Sequence, residues 1–168
     1  MNFNIIWAPW RIKYIKSVSK ESKQTCLFCE LPKRSDDESL ILFRGKHSYI
    51  VLNAFPYTTG HLMIVPYRHT ATFENLDDKI LLEMFKFIKV SITVLRKIYS
   101  PDGFNIGINI GRAAGAGVES HLHIHVVPRW VGDANFMTIV GDVRVLPESL
   151  RDSYNKLKNE ISKLLHDD

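Results

Sequence analysis

Three histidines, His121, His123 and His125, occupy alternate positions in ESHLHIHVVPRW (residues 119–130), with Leu122, Ile124 and Val126 between them. Polar/apolar alternation is the period of a half-buried strand, so the three imidazoles share one face. Alternate side chains on a strand stand about 6.6 Å apart, so two could grip one metal ion, whereas three would need a bent strand. The physical uses of histidine are proton transfer, nucleophilic attack and metal ligation, and the clustering points to these rather than to unrelated surface positions.

A second reactive group is CLFC, which holds both cysteines of the chain, Cys26 and Cys29. In a reducing compartment such a pair is a metal half-site or a redox pair rather than a structural disulfide. Zinc in a closed site takes four N or S ligands in a tetrahedron. His69, just past Pro66, and His121 are the candidates to complete Cys26 and Cys29. The redox alternative lacks the preceding strand of a thioredoxin-like context, because CLFC follows the polar SKQT. A vestigial or empty site is the other alternative.

With His121 given to zinc, His123 and His125 remain on the same face, beside GRAAGAGVE (residues 111–119). Three glycines in seven residues let that backbone turn its N–H groups toward an anion. A neutral imidazole is a good nucleophile toward phosphorus, and its adduct is reactive enough for a second nucleophile to resolve. Backbone donors can stabilise the non-bridging oxygens meanwhile. The residues therefore suggest transfer of a phosphorus group through a covalent histidine.

Positioning these groups requires a sheet. LILFR (40–44), SYIVLN (48–53) and HLMIVP (61–66) are apolar runs divided by RGKH and AFPYTTG, and they predict consecutive antiparallel strands. SDDES (35–39) reads as a charged loop. From Asp77 to Tyr99 the apolar residues Ile80, Met84, Phe87, Ile88, Leu95 and Ile98 move to helical spacing without Gly or Pro, predicting one long helix. FNIGINI (104–110) and SHLHIHVV (120–127) predict two further strands. Pro147 suits the first turn of a last helix, in which Leu150, Tyr154, Leu157, Ile161 and Leu164 form a stripe for core packing or a dimer seam. The expectation is an α+β fold, with an antiparallel sheet of about five strands, one long helix packed on it and a C-terminal helix.

The length of 168 residues and 45% hydrophobic content suit one globular domain. It divides into an N-terminal arm (1–24), a zinc knuckle (25–31), a core (40–127) and the C-terminal helix (147–166). The opening MNFNIIWAPWRIKYIKS lacks the long apolar core of a signal peptide, and no run approaches the roughly 20 apolar residues of a membrane span, so a cytoplasmic protein without a membrane partner is expected. A net charge of +4 favours anionic ligands but is too weak for a nucleic-acid footprint. The basic residues Arg11, Lys13, Lys16, Lys20 and Lys23 read as a solvated segment, and no aromatic-rich RNA motif is present, so no specific nucleic-acid partner is expected.

HLHIHVV also resembles the His-x-His-x-His-x-x motif, with apolar x, of the histidine-triad superfamily of nucleotide hydrolases and transferases. CLFC, NAFPYTTGHLMIVPYRH and NIGRAAGAG precede it in the family's order. WAPWR and RWVGDANFM are most similar to the branch of diadenosine tetraphosphate phosphorylases and dinucleoside polyphosphate hydrolases. The resemblance implies that His123 is the nucleophile, that His125 hydrogen-bonds the reacting phosphate or leaving oxygen, and that Asn53 binds the ribose hydroxyls. Nucleotide contacts would extend to Asn109, Gly115, Gly117 and Ser120. The resemblance also implies a structural zinc on Cys26, Cys29, His69 and His121, and a homodimer whose two sheets join edge to edge.

The chain departs from many members by carrying Gly115-Ala116-Gly117 in place of Gly-Gln-Ser/Thr. Its third histidine, rather than a glutamine, argues against hexose-phosphate transfer. The expected activity is cleavage of dinucleoside polyphosphates at the α-phosphate, the alternatives being nucleoside phosphoramidate hydrolysis and a non-catalytic nucleotide sensor. Taken singly, Asn53 could merely end a strand, His47 and His61 read as structural or exposed, and Trp7, Trp10 and Trp130 as core or dimer contacts.

Overall fold

The computed structural model describes residues 25–133 and 146–166. The N-terminal arm, with Trp7 and Trp10, and residues 134–145 lie outside them. A one-turn helix α1 (Leu27–Glu30) runs into a 3-10 turn (Leu31–Lys33) and a second one-turn helix α2 (Asp36–Ser39). Strands β1 (Ile41–Arg44), β2 (Ser48–Leu52) and β3 (Leu62–Pro66) follow, then helix α3 (Asp78–Tyr99), β4 (Gly103–Ile108), β5 (Ile124–Arg129) and helix α4 (Leu150–His166). All strand pairs are antiparallel, in the order β1-β2-β3-β5-β4.

The alternating side chains of the sheet serve two different faces. Leu42, Ile50, Leu52, Leu62, Ile64, Ile124 and Val126 pack with Ile80, Met84, Phe87 and Leu95 of α3 and with Tyr154, Leu157 and Ile161 of α4 in one apolar core. On the opposite face Ile41, Tyr49, Val51, Met63 and Val65 close over Phe28 of α1. Most of the C-terminal stripe is thus spent on core packing, with Tyr154, Leu157 and Ile161 buried, while Leu164 at its end is exposed.

Element ends follow local chemistry. Helix α3 stops at Ser100, a left-handed residue at φ 45° whose N–H reaches the Arg96 carbonyl, and Pro101 follows. The last helix starts at Leu150 rather than Pro147, because Ser149 Oγ accepts the Asp152 N–H at 3.1 Å and caps it there. SDDES is a helical turn, not a loop. Ser35 Oγ accepts the Glu38 N–H at 3.4 Å and donates to the Glu38 carboxylate at 2.8 Å, a side-chain closure legible in S-x-x-E. The histidine strand begins only at Ile124 and runs to Arg129, so His121 and His123 precede it.

Candidate functional site

His125 sits opposite Met63 in the β3–β5 register, which places it on the face away from α3 and α4. Its ring lies 4.8 Å from that of His123 and 5.1 Å from that of His61, centroid to centroid. Ahead of the strand the chain bends. Leu122 N–H donates to the Thr70 carbonyl at 2.6 Å, and His121 turns toward the CLFC knuckle instead of extending the row.

Cys26 and Cys29, at either end of α1, approach His121 Nδ1 to 3.3 and 3.5 Å, and Cys29 approaches His69 Nδ1 to 3.4 Å. The four ligand atoms lie within 4.8 Å of one another. Zinc bonds of about 2.3 Å to sulfur and about 2.0 Å to nitrogen give a tetrahedral S···N edge of about 3.5 Å, which the three S···N distances match, so the donor set suits zinc. His121 Nε2 stands 2.9 Å from the Pro66 carbonyl. Its proton belongs on that nitrogen, which leaves the Nδ1 lone pair facing the sulfurs. Burial lowers the His121 pKa to about 4, keeping it neutral, whereas burial and the neighbouring Cys26 raise that of Cys29 to about 11. Metal binding must therefore release a proton from the Cys29 thiol.

The remaining imidazoles have their tautomers set by partners that leave no choice. His123 Nδ1 is 2.9 Å from the His121 carbonyl, an acceptor only, so the His123 proton sits on Nδ1 and the lone pair on Nε2. Burial pushes the His123 pKa below its ordinary value, which favours this neutral form. A second relay runs the other way. The Tyr57 backbone N–H, a donor only, meets His61 Nδ1 at 3.1 Å, and Asn53 Nδ2 lies 3.3 Å from the same atom. His61 must then donate from Nε2 to His125 Nδ1 at 2.9 Å, which puts the His125 proton on Nε2. One imidazole of the pair thus carries a nucleophilic lone pair and its neighbour an N–H donor.

His61, expected to be structural or exposed, is fully buried and bonded to His125. The missed signal is its place at the head of β3, beside the strand that bears the triad. Asn53, half-buried after β2, holds the same loop: its N–H reaches the His61 carbonyl at 2.9 Å and its Oδ1 accepts the Phe55 N–H at 2.9 Å. Asn109, Gly115, Gly117 and Ser120 all lie on the connection from β4 to β5, which leaves the sheet at Ile108, opposite Ile124. Gly115 takes φ +84° to end a 3-10 turn at Arg112–Ala114, a conformation closed to most side chains.

Comparison with known proteins agrees with this geometry. The model of the HIT domain matches residues 34–131. An AP-4-A phosphorylase of Mycobacterium tuberculosis is 42% identical over 161 residues, covering 92% of this chain and 83% of that protein. A bis(5'-nucleosyl)-tetraphosphatase (asymmetrical) of Schizosaccharomyces pombe is 32% identical over 95 residues, 56% of this chain and 52% of its own length. Among solved structures, a zinc-bound histidine triad family protein from Mycobacterium smegmatis superposes with a TM-score of 0.68 at 25% identity, over 88% of this chain and 100% of that one.

Proposed function

On the premise that the chain belongs to the HIT domain family, we propose that it cleaves dinucleoside polyphosphates such as diadenosine tetraphosphate at the α-phosphate, through a nucleotidyl-His123 intermediate. The observation that carries this reading is the opposite protonation of two adjacent rings, with the lone pair at His123 Nε2 and the proton at His125 Nε2. His123 Nε2 attacks the α-phosphorus and forms the P–N bond. The P–O bond to the departing nucleotide breaks and its electron pair stays on the leaving oxygen, which accepts a hydrogen bond from His125 Nε2–H, while His61 holds that tautomer by donating to His125 Nδ1. The loop with Asn109, Gly115, Gly117 and Ser120 stabilises the non-bridging oxygens, and Asn53 binds the ribose.

The similarity to an AP-4-A phosphorylase supports inorganic phosphate as the second nucleophile. A phosphate oxygen attacks the adduct, the P–N bond breaks and ADP leaves, so diadenosine tetraphosphate plus phosphate gives ATP plus ADP. Incubation with and without phosphate tests this directly. ATP plus ADP formed only with phosphate supports phosphorolysis; ATP plus AMP under both conditions would mean that water resolves the intermediate.

Zinc held by Cys26, Cys29, His69 and His121 would supply a structural tie between the knuckle and the triad, not chemistry on the substrate. We further propose a homodimer, supported by β4, an edge strand with the exposed Ile106. Among the described residues no helix is long and apolar enough to cross a membrane. The reduced Cys26 and Cys29 support our placing of this single-domain enzyme in the cytoplasm.

A further inference from the structure

The CLFC turn contributes more than sulfur. Phe28, between the two cysteines, is 3% exposed, and its carbonyl accepts the buried Tyr49 hydroxyl at 2.7 Å. Its ring touches two histidines with different tasks, His121 at 5.6 Å and 68° and His123 at 4.8 Å and 46°, centroid to centroid. His123 is thereby held by three neighbours: the His121 carbonyl at Nδ1, the His125 ring and the Phe28 ring. A hydrogen bond at one ring nitrogen fixes the tautomer, yet leaves the imidazole able to rock about that bond. A buried ring packed against it at 46° stops the rocking.

We propose that Phe28 is a positioning residue for the nucleophile, setting the plane of the His123 ring and joining it mechanically to the metal knuckle. The proposal rests on the assignment of His123 as the nucleophile. In-line attack needs the Nε2 lone pair aimed at phosphorus, and a misplacement of about 1 Å can cost on the order of 100-fold in rate. Phe28 is flanked on each side by a proposed ligand, so a metal bound to both sulfurs fixes the turn that carries the ring. The knuckle then reaches His123 by two routes, the His121 carbonyl and the Phe28 ring.

The test compares full-length wild type with Phe28→Ala, Phe28→Leu and His123→Asn, each loaded with zinc, for metal content, kcat, KM and the NMR signals of the His123 ring. Phe28→Ala should keep its zinc and lose about 10- to 100-fold in kcat, with KM changed by less than about 3-fold, because the ring is buried and acts through His123. Phe28→Leu restores bulk without an aromatic ring. It should recover most of kcat while the His123 ring signals lose the shift caused by the phenyl group. Chelating zinc from the wild type should move the same signals.

If Phe28→Ala does not fold, Phe28→Val carries the same expectation of reduced kcat. A folded, zinc-replete Ala or Val variant with wild-type kcat, or His123 signals unmoved by chelation, would overturn the proposal. Full turnover by His123→Asn would instead overturn the nucleophile assignment, so the two failures are distinguishable.

Discussion

His61 is a buried histidine with each nitrogen engaged, and its use is to decide which nitrogen of His125 carries the proton. Replacing it by phenylalanine keeps the volume and removes the relay, so His125 becomes free to invert its tautomer. His61→Phe should lower turnover of diadenosine tetraphosphate by about 10- to 100-fold, the usual penalty for losing an orienting partner. Turnover of a nucleoside phosphoramidate, whose basic amine leaving group must take up a proton, should fall more than that of diadenosine tetraphosphate, whose polyphosphate leaves as a weak base, in the same variant. Equal losses on both substrates would show that His61 does not act at the leaving atom. His123→Asn should instead abolish turnover of either substrate, because asparagine occupies similar space without a nucleophilic nitrogen. Nucleotide binding measured by calorimetry should survive, and near-normal turnover would move the nucleophile elsewhere.

At the level of elements, the loop between β2 and β3 must return the chain so that Asn53 and His61 face each other. Gly60 makes that turn at φ +76°, where an added Cβ would come within 2.9 Å of Leu95 Cδ2 and 3.1 Å of Tyr99 Cε2. Gly60→Ala should cost about 1–3 kcal/mol in a denaturant titration, combining left-handed strain with displacement of the α3 side chains. A change below about 0.5 kcal/mol would mean that the loop relaxes freely.

Asp36 ties α2 to two other elements, accepting from Arg44 Nε of β1 at 2.7 Å and from Lys158 Nζ of α4 at 3.3 Å. Burial pushes its carboxyl up, but these hydrogen bonds prevail and hold it below the usual carboxylate range. A carboxylate whose folded pKa lies below its unfolded value of about 3.9 adds stability above that value, and the contribution is lost as pH falls through the folded pKa. Asp36→Asn should therefore lower Tm at pH 7 and flatten the loss of stability below about pH 4. An unchanged acid limb would remove Asp36 from the acid response.

For the whole molecule, the proposed metal site joins distant parts of the chain, since Cys26 and His121 are 95 positions apart and meet on the outer face of the sheet. Chelation should lower Tm by about 5 °C or more, because a ligand bound only by the folded state stabilises it and about 1 kcal/mol moves a domain of this size by about 2–4 °C. Readdition of zinc should reverse the change. Cys29→Ser should bring Tm down to the chelated value and make it insensitive to chelator. A wild-type Tm indifferent to chelation would leave the four residues without a metal. Light scattering at micromolar concentration tests the proposed dimer, with twice the 19.3 kDa chain mass expected and the monomer mass counting against it.

Short apolar runs divided by turn formers marked the strands of this chain, and helical spacing of apolar residues marked the long helix, because burial writes itself into the order of apolar residues. Alternation singled out His121, His123 and His125 as a group, although only His125 lies on the strand and the chain bends before it, and the coordination demand of zinc selected Cys26, Cys29, His69 and His121 as candidates. Only the tertiary structure decided what those side chains meet. His61 and Phe28 are a polar and an apolar residue in ordinary strand-head and turn contexts, and their contacts with His125 and His123 come from chain segments 64 and 95 positions away. Protonation is also a tertiary property. An imidazole has two nearly equivalent tautomers in isolation, and the fixed backbone donor at Tyr57 and acceptor at His121 leave a lone pair on His123 Nε2 and a proton on His125 Nε2, as the proposed chemistry requires.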